Sequence, residues 1–97
     1  MSKGCIVTEV APQLVGNRKW VAIYPAPEGE IRGAYKYFEV ELPGYIVERD
    51  LDWFESDEIT SWQFVADLAG LYDLLETKNL DPETFDVPWK FNYPYHY

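Results

Sequence analysis

The sequence predicts an α+β fold. An antiparallel sheet of three to four strands carries one main helix, about 58–77, on one face, and an extended aromatic strap follows at the C-terminus. Three observations predict it. Segment 35–42, YKYFEVEL, alternates with a period of two. Residues 58–77 place apolar side chains at helical spacing through Trp62, Val65, Leu68, Ala69 and Tyr72. The last ten residues, PWKFNYPYHY, hold five Trp, Phe and Tyr rings, all at odd positions.

The 97 residues make a single domain, 1–97, with room for one modest core. Hydrophobic (47%) and charged (26%) contents are those of an ordinary globular chain, so disorder is not expected. Aromatic content is 18%, and such rings serve either a small core or a contact surface.

The elements follow in order. CIVTEV, 5–10, is β-rich and ends before Pro12. Gly16-Asn17 reads as a turn, KWVAIY (19–24) as a second strand, and PAPEGE (25–30) as a loop. In 35–42, Phe38, Val40 and Leu42 share one side, while Tyr37, Glu39 and Glu41 share a side expected to face water. Pro43-Gly44 suits a type II turn, after which YIVER, 45–49, returns as a fourth strand.

Thr60 and Gln63 have capping-box spacing at the head of the helix, with Ser56 as a competing start one turn earlier. Phe64, Leu71 and Leu75 widen its apolar stripe, and Asp67, Asp73 and Glu76 fall toward the polar side. Gly70 leaves room for another element to approach closely. Lys78-Asn79 ends the helix. Asp81 caps one short turn opened by Pro82. Val87-Pro88 favours extended chain. Extension would put Trp89, Phe91, Tyr93, Tyr95 and Tyr97 on one side, sealing either the chain's own core or a neighbour's.

Charge divides along the chain. Residues 1–49 balance six bases against six acids, whereas 50–97 set eleven acids against Lys78 and Lys90, the whole net of −9. The densest run is DLDWFESDE, 50–58, with Asp50, Asp52, Glu55, Asp57 and Glu58 around Trp53 and Phe54. It reads either as a solvated face or as a recognition surface for a basic partner. Eight Lys and Arg without a large cluster argue against direct nucleic-acid binding.

Catalytic and metal sets are sparse. Cys5 and His96, the only thiol and imidazole, lie at opposite ends, and no internal disulfide can form. Two Cys or His residues do not make a zinc site. The 50–58 run places Phe54 and Glu55 where an EF-hand needs a ligand and a glycine. No phosphate loop is present. No cofactor is therefore expected, and no enzyme. Carboxylate pairs are numerous enough to arise by chance, which leaves a small carboxylate-dependent enzyme as the third-ranked reading.

The first-ranked reading is a binding protein that occupies a basic surface of a protein partner. Its contact residues would be Asp50, Asp52, Trp53, Glu55, Asp57, Glu58, Trp89, Tyr93, Tyr95 and Tyr97. A nucleic-acid-binding enzyme is one such partner, with the chain acting as a nucleic-acid mimic. In size and charge alone, the chain resembles small acidic phage-encoded inhibitors of restriction or CRISPR enzymes. The second-ranked reading is a subunit or assembly factor bound through the aromatic tail, with a homodimer among the allowed arrangements. The start, MSKGCIVTEV, lacks the apolar stretch of a signal peptide, and no apolar run approaches ~18 residues. A cytoplasmic protein without membrane contact is expected.

Overall fold

The computed structural model describes residues 4–25 and 35–95, without the side chain of Glu55. Strands β1 (Ile6–Val10), β2 (Asn17–Pro25), β3 (Tyr35–Pro43) and β4 (Ile59–Val65) form one antiparallel sheet in chain order. A short helix α1 (Gly44–Glu48) follows β3, and the main helix α2 (Leu68–Thr77) follows β4. Single 3-10 turns occupy 55–57, 82–84 and 88–91. No helix is long and apolar enough to cross a membrane among the described residues.

The sheet is covered on both faces. Its register aligns Val7, Ala22, Phe38 and Trp62 in one row, and Glu9, Trp20, Val40 and Thr60 in the next. On this face Val7, Trp20, Ala22, Val40 and Leu42 are buried under the C-terminal segment, with Tyr93 inside the core. On the opposite face Val21, Ile23 and Tyr37 meet Leu71 and Leu75 of α2. The side of β3 expected to be wet is therefore closed. Glu41 is only 1% exposed, and Tyr37 is buried as well.

Three further expectations are corrected. Segment 45–49 is α1 and not a strand. The Gly44 N–H donates to the Gly16 carbonyl at 2.9 Å, so the chain after β3 turns onto the β1–β2 loop. A Cβ on Gly44 would lie 2.7 Å from that oxygen, which reserves the position for glycine. Asp50, at φ +53, then stops the short helix in the left-handed region.

The main helix starts at Leu68, ten residues later than expected, and ITSWQFV forms β4 in its place. That segment is dense in β-branched and aromatic residues, and an alternating strand can imitate part of a helical stripe. The cap is Asp67, whose carboxylate accepts from the Gly70 N–H at 2.8 Å. Trp62, Leu68 and Tyr72 are exposed, while Leu71 and Leu75 carry the buried stripe. Gly70 does permit a close approach: a Cβ there would meet Val65 Cγ1 at 2.9 Å. The helix ends at Lys78-Asn79, and Asp81 caps the Pro82 turn by accepting from the Glu83 N–H, both as the sequence predicts.

The tail is not extended throughout. Val87 is extended before Pro88, but Pro88–Phe91 forms a 3-10 turn and Asn92 turns left-handed at φ +55. The rings consequently do not share one side. Trp89 is 62% exposed, Tyr93 is 6% exposed, and Phe91 and Tyr95 are half-buried. The turn supplies an acceptor to the core, because the Phe91 carbonyl receives the indole N–H of fully buried Trp20 at 2.7 Å. His96 and Tyr97 lie outside the described residues, as does the expected loop beyond Pro25.

Candidate partner-binding surface

The acidic run and the aromatic tail, distant in sequence, meet on one face of the sheet. After Asp50, Leu51 and Asp52 stay exposed and Trp53 packs against the core under the tail. The chain then closes on itself: Phe54 N–H donates to the Asp57 carboxylate at 3.0 Å, and Asp57 N–H donates to the Phe54 carbonyl at 2.9 Å. This small loop holds the Phe54 ring outward, 79% exposed.

Glu58 joins the two segments. Its carboxylate accepts from the Trp53 indole at 2.9 Å and from the Tyr95 hydroxyl at 2.5 Å. The Trp53 and Tyr95 rings meet edge to face with centroids 5.9 Å apart, and Tyr95 meets Phe38 similarly at 5.5 Å. Burial and the neighbouring Glu58 carboxylate push the Tyr95 phenol well above its ordinary range. It therefore remains a neutral donor to Glu58.

Tyr93 sits deeper. Its hydroxyl bonds that of Tyr24, and Cys5 lies beside the pair. Burial raises the Tyr24 phenol to about 12 and also raises the Cys5 thiol. These groups are neutral at physiological pH, which suits core positions.

The proposed contact residues thus fall into four groups. Asp50, Asp52 and Trp89 are exposed. Trp53, Asp57, Glu58 and Tyr95 are half-buried and bonded within the chain. Tyr93 is core. The side chain of Glu55, and Tyr97, lie outside the description. The acids beyond the 50–58 run lie elsewhere. Asp73 and Glu76 ride on α2, and the turn opened by Pro82 packs through Phe85 on the helix side of the sheet.

Sequence reasoning missed two features. One is the exposed pair Trp62 and Phe64, ring centroids 5.3 Å apart, with Lys36 Nζ 5.4 Å from the Trp62 ring. Reading 59–65 as a strand exposes this pair at once, since residues two apart share a face. The other is Glu41, whose role depends on loop contacts that no local pattern encodes. No group of three or more His, Cys, Asp or Glu side chains that could hold a metal ion occurs among the described residues.

No protein-family model, no curated protein and no solved structure matches the chain.

Proposed function

We propose that this chain is a non-enzymatic acidic binding protein that occupies a basic surface of a protein partner. The contact is the patch of Asp50, Asp52, Trp53 and Phe54. The observation that carries this reading is the double anchor at Glu58, which fixes the acidic loop to the tail. A loop held in place before contact loses less freedom on binding than a loose one. The net charge of −9 adds long-range attraction to a cationic partner.

In its specific form, the partner is a nucleic-acid-binding enzyme and the patch competes for its phosphate-binding groove, in the manner of a phage-type inhibitor of restriction or CRISPR enzymes. The test is competition with duplex DNA on a panel of such nucleases. Affinity should fall at least about tenfold between 50 and 200 mM salt. Asp50→Lys with Asp52→Lys should lower it comparably. Binding that ignores both salt and charge reversal defeats the reading.

One observation favours the second reading, a subunit bound through its tail: Trp89 is 62% exposed on the 3-10 turn. Salt-insensitive association that disappears with Trp89→Ala would select it.

A further inference from the structure

The two edges of the sheet differ. At the β1 edge, Val7 and Asp86 exchange backbone hydrogen bonds at 2.8 and 2.9 Å, so a later segment covers that strand. At the β4 edge, six consecutive residues from Ile59 to Phe64 are exposed. Soluble sheets ordinarily protect such an edge with charges, proline or a bulge. ITSWQFV contains no charged residue, no proline and no glycine. Its two faces carry Trp62 and Phe64 on one side and Ile59 on the other. Among the described residues no segment pairs with the outer side of β4, so the strand offers backbone and apolar side chains together, which is the chemistry of strand addition.

Charge at the strand ends decides between occupants. Asp57 and Glu58 precede β4, and Asp67 follows it. A second copy in the fully overlapped antiparallel register would pair Trp62 with its own counterpart. That register also brings the acids flanking β4, Asp57 in its 3-10 turn and Asp67 at the α2 cap, close to those of the other copy at both ends. Like charges placed opposite one another weaken strand pairing. A foreign strand with basic ends meets the reverse situation.

We infer that the open edge of β4 takes a β-strand from a partner, one that is uncharged in its centre and carries Lys or Arg at both ends. The inference rests on the basic-partner reading and adds a second contact to it, beside the patch of Asp50, Asp52, Trp53 and Phe54. Lys36 does not oppose it, because its ammonium lies over the Phe38 and Trp62 rings on the sheet face.

The test uses the full chain, isotope-labelled, at low salt. Two nine-residue peptides are titrated: Lys-Arg-Thr-Val-Thr-Val-Thr-Arg-Lys, and the same peptide with Glu at all four basic positions. The basic-ended peptide should shift the amides of 59–65, slow their hydrogen exchange, and bind at least about tenfold more tightly than the acidic one. Asp57→Asn with Asp67→Asn, which preserves both side-chain acceptors, should weaken it several-fold. Equal binding of the two peptides overturns the inference, as does the absence of any β4 response at millimolar peptide. Shifts confined to 50–54 also overturn it, while leaving the proposed function standing. A dimer by sedimentation, with β4 amides protected before peptide is added, assigns the edge to a second copy instead.

Discussion

The carboxylate of Glu41 accepts the backbone N–H of Leu14 at 3.0 Å, across 27 residues of sequence. Gln13 N–H and Asn17 Nδ2 donate to the same group at 2.8 and 2.9 Å. A buried anion thereby organises the turn between β1 and β2. Replacing it by Glu41→Gln sets an amide donor among these donors. Destabilisation of about 2–3 kcal/mol is expected. Urea unfolding checks it, as a lower midpoint at unchanged slope.

The same carboxylate sets the acid limit of the fold. Burial alone would raise its pKa, but the three donors and nearby Lys19 outweigh burial and hold it low. Glu39, also partly desolvated, is held low by Tyr37, Lys19 and Lys78. Because both folded values lie below the unfolded ones, the unfolded chain binds more protons in between. Stability is then fully present above roughly pH 5 and lost as pH falls through the folded values. Denaturation midpoints from pH 7 to pH 3 should show this decline, and Glu41→Gln should flatten it.

Tyr95→Phe removes one donor from Glu58 while keeping the ring against Phe38 and Trp53. A loss of about 1 kcal/mol is expected. The Trp53 indole N–H resonance should move, because its acceptor is the oxygen that Tyr95 shares. An unmoved resonance would mean that the tail and the acidic loop are not coupled through Glu58.

Gly44→Ala should be costly. The added methyl carbon meets backbone, the Gly16 carbonyl at 2.7 Å, and not a yielding side chain. A loss of about 2 kcal/mol or more is expected. Thermal unfolding would register it as a drop of several degrees.

Deleting 89–97 should be worse than any of these. Trp20 loses the acceptor for its indole, and Val7, Val40 and Leu42 lose the Tyr93 cover. The truncated chain should fail to give a cooperative melt. An unchanged melting temperature would contradict the docking of the tail.

The fold was legible where the signal is local. The period of two through Phe38, Val40 and Leu42 identified β3 and one of its two buried sides. The Asp81-Pro82 turn and the Lys78-Asn79 stop were written in cap chemistry. Failures came where two periods overlap or where a distant contact decides. Trp62 and Val65, three apart, read as one helix face, whereas in β4 they pair with Phe38 and Tyr35 and point to opposite sides of the sheet. In the tail, ring alternation suggested extended chain. The need of a buried Trp20 for an acceptor, 71 residues away, goes with the turn that is found. At the candidate surface, the acidic loop was visible in composition, but its anchoring to Tyr95 depends on packing over 37 residues.

Both covers of the sheet follow its strands in the chain. As the chain leaves the ribosome, the first three strands emerge with Trp20, Ile23, Val40 and Leu42 on two open sides, before α2 or the tail has been translated. A nascent chain arrested after β4 should therefore remain sensitive to protease and attractive to chaperones. Protection would arrive only once 68–95 have emerged, so chains cut short between β4 and that segment should be destined for degradation instead of giving a partly working product.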